Sequence, residues 1–346
     1  MSKNQVTQLL ISPKKKSIGY YCIPDMRNAL TLIRHARMAV DAGFSMVWVA
    51  DHFHPWFHTE AHESNAWVWM AAAMGEVKDV PFGTFVTAPI LRYHPGIVAQ
   101  AFATMQSIYG DRVILGLGSG EAMNEMPLGY KWPSVKERKE RMNEAIEIIR
   151  RLWGEEFVTY HGKYYSLDGA NLYMKANIPI YLAAFGPKMG KLAGRIADGL
   201  ITSVRPFEYF TNTLFPAVSE GAKASGKTLD DITKVLEIDV SWSDDYESAI
   251  ASTRRWKAGL LPNLFEDPIA DPRVIEKMGL DSVPDKALEE IYVISTNPED
   301  HIKKIESAFS CGFDHVCLFS SSPDEDKTID MYAKKVLPYF TQRSTS

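Results

Sequence analysis

The sequence predicts a (β/α)₈ barrel, in which eight parallel strands close into a cylinder and helices cover its outside. Short apolar segments typical of buried strands alternate with longer segments of helical periodicity over residues 17–340. Nearly all of these strands are joined by a helix-length connection, which parallel pairing requires. Polar groups also follow the strands, as they do at the functional end of such a barrel. A doubly wound open sheet is the alternative, and it normally has fewer strands.

Each element has its own local signal. The apolar segments predict strands at residues 17–21, 45–50, 82–87, 112–117, 178–183, 199–203, 235–241 and 315–319. The longer segments predict helices at residues 29–42, 95–109, 135–152, 188–196, 207–224, 298–311 and 324–339. Gly43 and Gly110 are typical helix ends, and Pro95 suits the first turn of a helix.

We expect a single domain over residues 17–340. Residues 242–293 break the alternation and contain Pro262 and Pro268, which predicts an insertion before the last strand. Residues 1–16 are a polar leader, and residues 341–346 form a tail.

Composition excludes several classes of protein. The chain has 346 residues, of which 46% are apolar, and a net charge of −5, which argues against binding to nucleic acid. No apolar run approaches the roughly 20 residues of a membrane-spanning helix. Cys22, Cys311 and Cys317 lie in or beside apolar segments and form no paired framework. We therefore expect a cytoplasmic protein with reduced, buried thiols.

The most informative segment is Asp-His-Phe-His-Pro-Trp-Phe-His at residues 51–58, directly after the second predicted strand. It joins a carboxylate, three imidazoles and an indole where a strand ends, and an imidazole exchanges protons near neutral pH. Other strands end in Thr87, in Gly-Leu-Gly-Ser-Gly-Glu at residues 116–121, in Ala-Ala-Phe-Gly-Pro at residues 183–187, and in Ser203. Because these ends converge in a barrel, they predict one site.

Three other chemistries fit these motifs less well. The glycines at residues 116–120 lack the G-x-G-x-x-G spacing of a dinucleotide site and the Gly-Lys-Ser/Thr of a phosphate loop. They favour close approach of a bulky planar ligand instead. His52, His54, His58 and His62 with Asp51 could be metal ligands, but the intervening aromatic residues suit a stacking pocket better, and we predict no metal. Gly-Ser-Gly at residues 118–120 is not the nucleophile motif of a serine hydrolase.

Together these residues resemble the deazaflavin-dependent branch of the bacterial-luciferase-like superfamily. The resemblance rests on residues 18–20, 51–56, 92–104 and 118–125, and it extends over about residues 17–340. This branch uses coenzyme F420 and includes F420-dependent glucose-6-phosphate dehydrogenases and the archaeal F420-dependent secondary alcohol dehydrogenase. The resemblance implies a luciferase-like (β/α)₈ barrel with an insertion before the last strand, F420 as the cofactor, and a homodimer.

The resemblance also implies roles for individual residues. It gives His52, Trp56 and Glu121 as catalytic residues, and Asp25 replaces a glutamate of the first strand. It places a non-proline cis peptide, which backs the deazaflavin ring, at Phe85–Val86. The predicted cofactor-binding residues are Asp51, Phe85, Val86, Thr87, Gly120, Asn124, Ala183, Ala184, Gly186 and Pro187. The predicted substrate-binding residues are Asp25 and Ser203.

The substrate end favours an alcohol over a sugar phosphate. The resemblance places Glu290 where the sugar-phosphate enzymes have an arginine, and a carboxylate repels phosphate. The segments at residues 256–265 and 320–324 are more similar to the secondary alcohol dehydrogenase. We therefore predict hydride transfer from a neutral alcohol to F420, with His52 accepting the hydroxyl proton. A sugar or sugar-6-phosphate dehydrogenase and an FMN-dependent monooxygenase are the alternatives.

Overall fold

Eight parallel strands close into a barrel in the computed structural model, which describes residues 16–203 and 205–343. The barrel strands are β1 (Ser17–Cys22), β2 (Val47–Val49), β3 (Phe82–Thr84), β4 (Val113–Leu117), β7 (Ile180–Ala183), β8 (Gly199–Thr202), β9 (Thr233–Trp242) and β11 (His315–Ser320). They pair in this order, and β11 pairs with β1 to close the cylinder. The predicted barrel is confirmed. Residues 1–15 of the predicted leader and 344–346 of the tail lie outside the described residues.

Helices cover the outside of the barrel and connect its strands. They span Ala29–Ala42, Ala66–Glu76, Pro95–Tyr109, Ala122–Glu125, Val135–Gly154, Pro187–Ile196, Tyr246–Thr253, Pro272–Ser282, Asp285–Ile291 and Pro298–Cys311. Two longer helical stretches each contain a π-helical segment: Phe207–Tyr209, Phe210–Leu214 and Phe215–Lys223, and Glu325–Met331, Tyr332–Val336 and Leu337–Arg343. Gly43 ends the first helix at φ 108°, a conformation that favours glycine. Among these described helices, none is long and apolar enough to cross a membrane.

Three strands lie outside the barrel's ring, and the sequence did not predict them. β5 (Val158–His161) and β6 (Ser166–Ala170) form an antiparallel hairpin, and β10 (Val293–Ser295) pairs with the end of β9. The hairpin strands are largely exposed, so they lack the apolar run that marks the barrel strands. The predicted strand over residues 82–87 is too long, because β3 ends at Thr84. Thr87 then forms a single bridge to Leu117.

Two apolar layers hold the barrel together. Alternate strand residues point outward into the layer beneath the helices, and the others fill the lumen. The lumen contains large side chains such as Trp48, Tyr181, Phe85 and Phe319. Trp48 needs space, and a Cβ at Gly83 would lie only 2.4 Å from its ring. The large indole of Trp48 thus fits because the neighbouring strand β3 has a glycine, Gly83, at the facing position.

Gly116 on β4 gives a direct test of this packing. A Cβ at this residue would lie 1.9 Å from the backbone oxygen of Thr84 on β3, so Gly116→Ala forces the two strands apart. We expect a loss in unfolding free energy of roughly 1–3 kcal/mol or more, measured by urea denaturation. The matched control is Gly154→Ala at a helix end, where a Cβ meets nothing within 4 Å. That variant should be as stable as the parent or more stable, and equal losses in both would contradict the interpretation.

Candidate active site

His52 and Asp25 form the centre of the site at the carboxyl end of the barrel. His52 follows β2, and Asp25 lies in a 3₁₀ turn, Pro24–Met26, after β1. His52 Nδ1 is 3.1 Å from Asp25 Oδ1, and Asp25 is fully buried. The other oxygen of Asp25 accepts a hydrogen bond from the backbone N–H of Trp56 at 2.9 Å. One carboxylate therefore fixes both the imidazole and the loop that carries the indole.

The surroundings of His52 favour its charged form. Burial alone lowers the pKa of the imidazole, but Asp25 attracts and hydrogen-bonds the imidazolium. Glu121 and Glu63 add further negative charge, and together the carboxylates raise the pKa of His52 to about 10. His52 is therefore protonated at neutral pH before any ligand binds.

Asp51, one residue earlier, faces the protein and not the mouth of the barrel. Its carboxylate accepts hydrogen bonds from Thr87 Oγ1 at 2.6 Å and from Arg92 Nη2 at 3.0 Å, and Tyr93 Oη lies 3.3 Å away. Trp67 Nε1 in turn donates to Thr87 at 3.0 Å. Asp51 and Thr87 were both predicted to bind a cofactor. Their side-chain oxygens form hydrogen bonds with neighbouring residues beneath the rim and stabilise it there.

Glu121 and Asn124 connect the end of β4 to the histidine loop. Asn124 Nδ2 donates to Glu121 Oε2 at 2.5 Å. Asn124 Oδ1 accepts from the backbone N–H groups of Phe53 at 2.7 Å and His54 at 3.3 Å. Asn124 is buried, whereas Glu121 is half-buried. Asn124 therefore orients the Glu121 carboxylate while it holds the backbone next to His52.

Small residues line the rim between β3 and β4. The peptide bond between Phe85 and Val86 is cis, as the resemblance implied. A Cβ at Gly118 would lie 2.2 Å from Val86 Cγ2, so the glycine lets this segment approach β4 closely. Val86 and Gly120 are half-buried at the rim, while the Phe85 ring packs inward against Tyr21 at 4.9 Å.

The ends of β7 and β8 are also open and lined by small residues. Ala183, Gly186 and Ser203 are half-buried, and Ala184 is buried beneath them. Gly186 precedes the ten-residue helix Pro187–Ile196 and provides no side-chain cap to it. Pro187 has no N–H, but the backbone N–H groups of Lys188 and Met189 in the first turn have no side-chain cap, and a helix N-terminus attracts an anion.

An aromatic wall faces His52. The rings of Trp56 and His52 are 6.2 Å apart, and Trp56 also meets the edge of Phe265 at 5.4 Å. Behind them Trp256 packs against Phe57 at 5.1 Å and Phe319 at 4.7 Å. Phe265 comes from the insertion between β9 and β11, so this segment completes one side of the mouth.

Three acidic residues near His52 were not predicted. Glu63 lies in the loop after β2, and Glu237 and Asp239 point into the lumen from β9. Burial raises the pKa of both lumen carboxyls, that of Asp239 to about 7. Their i, i+2 spacing in an otherwise apolar strand puts both on one face, and this signal was available in the sequence. Glu63 lies in an irregular segment that has no such signal.

The histidine run does not gather around Asp51. Among the described residues, the atoms that are close enough together to bind a metal ion come from Asp25, His52 and Glu63. One ligand atom from each lies within 4.8 Å of the other two. His54 instead contacts the backbone oxygen of Ala270 at 3.3 Å.

Residues 20–315 match the family model described as luciferase-like monooxygenase. The chain belongs to the luciferase-like monooxygenase family. It is 40% identical over 329 residues to an F420-dependent glucose-6-phosphate dehydrogenase of Beutenbergia cavernae, covering 94% of this chain and 98% of the relative.

Two solved structures are similar over their whole length. An F420-dependent secondary alcohol dehydrogenase in complex with an F420–acetone adduct has a TM-score of 0.91 and 38% identity, covering 94% of this chain and 99% of that one. The coenzyme F420 dependent tetrahydromethanopterin reductase from Methanopyrus kandleri has a TM-score of 0.77 and 25% identity, with the same coverage. The family predicted from the sequence is confirmed.

The buried ion pair between Asp51 and Arg92, beneath the rim of the site, can be tested by its contribution to stability. The Arg92 side chain is only 4% exposed, so Asp51→Ala leaves a buried cation with one partner fewer. We expect a loss of about 3–5 kcal/mol in unfolding free energy, measured by urea denaturation. Glu76→Ala removes the ion pair with Arg37, whose side chains are half-exposed, and should cost less than about 1 kcal/mol. Similar losses in the two variants would show that burial does not set the strength of the pair.

Proposed function

We propose that this protein is an F420-dependent oxidoreductase that transfers a hydride between a small neutral alcohol and the cofactor. The observation that carries the proposal is the position of His52, which contacts the buried Asp25 at 3.1 Å and whose ring lies 6.2 Å from that of Trp56. A group that accepts a proton from an alcohol, or donates one to a carbonyl oxygen, next to an apolar wall suits this pair of substrates. The F420-dependent activities in the names of the relatives support the choice of cofactor.

The residues at the rim fit this cofactor. The close approach at Gly118 and the half-buried Val86 and Ala183 leave a surface of small side chains for a flat ring. A Cβ at Gly186 would point into open space beside an uncapped helix N-terminus, which suits the phosphate of an F420 tail. When bound, F420 supplies the carbon that accepts or returns the hydride.

The protein's own groups handle the proton and the developing charge. His52 holds the proton that moves to or from the substrate oxygen, and Asp25 keeps its imidazole oriented. Trp56 forms the wall against which the apolar part of the substrate packs. Glu121, oriented by Asn124, would offer its carboxylate to the ring of F420. His52, Trp56 and Glu121 are the residues that the resemblance gave as catalytic.

The aromatic wall and the local charge support a neutral substrate. The segment at residues 256–265, which is more similar to the secondary alcohol dehydrogenase, contains Leu264, which is buried, and Phe265, which packs on Trp56. Burial raises the pKa of Glu237 and Asp239 in the lumen, which favours their uncharged acid forms and a neutral ligand beside them. The sugar-phosphate alternative is supported by a different observation, the activity in the name of the relative that is 40% identical.

We also propose a cytoplasmic homodimer. The resemblance to the F420-dependent branch supports the dimer, and the free state of Cys22, Cys311 and Cys317 supports a reducing compartment.

A substrate test separates the two candidates. Purified protein is mixed with oxidised F420 and then with isopropanol or glucose 6-phosphate, and the deazaflavin absorbance is followed. We expect bleaching with isopropanol only, because the wall around Trp56 and Phe265 is apolar and burial favours the uncharged forms of the lumen carboxyls. Bleaching with glucose 6-phosphate only would favour the sugar-phosphate alternative. F420 that neither binds nor reacts would refute the proposed cofactor.

The high pKa of His52 predicts opposite pH profiles for the two directions. Alcohol oxidation requires neutral His52, so kcat/KM should rise about tenfold per pH unit below the pKa of about 10. Ketone reduction with reduced F420 requires protonated His52, so its kcat/KM should be flat below that pKa and fall above it. His52→Asn should lower both rates strongly and abolish the alkaline rise while F420 binding persists. An unchanged profile in that variant would assign the proton to another group.

A further inference from the structure

Glu63 completes a three-residue cluster with Asp25 and His52. The loop after β2 folds back so that the backbone N–H of His62 donates to the backbone oxygen of Asp25 at 2.9 Å. This contact brings the next residue, Glu63, beside the ion pair. A carboxylate oxygen of Asp25, a ring nitrogen of His52 and a carboxylate oxygen of Glu63 all lie within 4.8 Å of one another.

Among the described residues, one carboxylate oxygen of this cluster has no hydrogen-bond partner. Asp25 uses one carboxylate oxygen for His52 and the other for the backbone of Trp56. Glu63 Oε1 accepts from the backbone N–H of Ser64 at 2.8 Å. Glu63 Oε2 is buried and has no hydrogen-bond partner among the described residues. An ionised carboxylate oxygen in that position is costly, whereas a protonated one becomes a donor.

We propose that Glu63 is a positioning residue that keeps a proton as a neutral carboxylic acid and thereby controls the charge of His52. Its own protonation state follows from the structure of the free protein. Only the consequence for turnover rests on the proposed function.

The charges around the two groups support this assignment. Asp25, His52 and Asp51 face Glu63, and burial together with the Asp25 charge raises the pKa of Glu63 to about 9. His52 itself faces Asp25, Glu121 and Glu63, and it acts in turn on the buried Glu237. At neutral pH the cluster thus contains one carboxylate, one imidazolium and one carboxylic acid, and its net charge is zero.

The carboxylic acid acts when the pH rises. Once Glu63 ionises, its new negative charge opposes loss of the proton from His52, so the imidazolium persists to higher pH than Asp25 alone would allow. Glutamine has nearly the same shape but cannot ionise. In Glu63→Gln, His52 should therefore lose its proton at lower pH.

The first experiment observes the proton on Glu63 directly. Infrared difference spectra of the protein without cofactor compare the parent with Glu63→Gln at neutral pH. We expect the difference spectrum to show the C=O stretch of one protonated carboxylic acid that is present in the parent and absent from the variant, while other buried acids such as Glu237 cancel. Glu60→Gln is the matched control, because Glu60 is exposed in the same loop, and it should retain the band. A band that is equal in all three proteins would overturn the proposal.

The second experiment measures His52 by NMR of ¹⁵N-labelled histidine, with its signal assigned from its absence in His52→Asn. We expect the titration of His52 in Glu63→Gln to move to lower pH by roughly one unit, and Glu60→Gln to match the parent. Glu63→Asp keeps an ionisable group and should fall between them. Coincident titrations of the parent and Glu63→Gln would overturn the proposal.

Two further outcomes separate this proposal from its alternatives. A stoichiometric divalent metal in the purified protein, with loss of the infrared band on binding, would show a cation and not a proton among these groups. With F420 and isopropanol, the alkaline rise of alcohol oxidation should shift to lower pH in Glu63→Gln together with the NMR titration. If the parent shows no F420 activity but both spectroscopic results hold, the proposed function fails and the role of Glu63 in the cluster stands.

Discussion

The ion pair between His52 and Asp25 is the contact on which the rest of the site depends. It joins the turn after β1 to the end of β2, and the second oxygen of Asp25 fixes the backbone of Trp56. The imidazole and the indole are therefore positioned by one buried carboxylate. Because the carboxylate is out of reach of water, it is stable only with these partners, and the partners cannot leave without a large electrostatic cost.

Asp51 and His52 are adjacent in the chain, but their side chains point in opposite directions. His52 faces the mouth of the barrel, whereas Asp51 faces the protein and pairs with Arg92 beneath the rim. The mouth then has a surplus of carboxyl groups around one imidazolium, and burial keeps part of them protonated, Glu63 among them. Such a site can donate a proton to a neutral carbonyl oxygen, and its buried carboxyl groups are largely uncharged. Charge and apolar packing thus favour the same class of substrate.

Much of the architecture was predictable because it depends on local patterns. A buried parallel strand is a short apolar run, and its connection must be long, so the alternation of the two indicated the barrel. The rim was predictable for the same reason, since parallel strands bring their carboxyl ends together. The hairpin of β5 and β6 has mostly exposed residues and lacks this signal. Glu63 was missed because an irregular loop has no periodicity that shows where a side chain points.

The barrel and the residues at its mouth could be derived from the sequence alone, and the resemblance gave His52, Trp56 and Glu121 as the predicted catalytic residues. What each of these groups contacts was set by the fold in three dimensions. It turned Asp51 and Thr87 toward the protein, placed Glu63 against Asp25, and made His52 a cation. Contacts of this kind join residues from different loops, and their electrostatic strength depends on burial. Neither the distance between two loops nor the burial of a carboxylate is encoded in any short stretch of sequence.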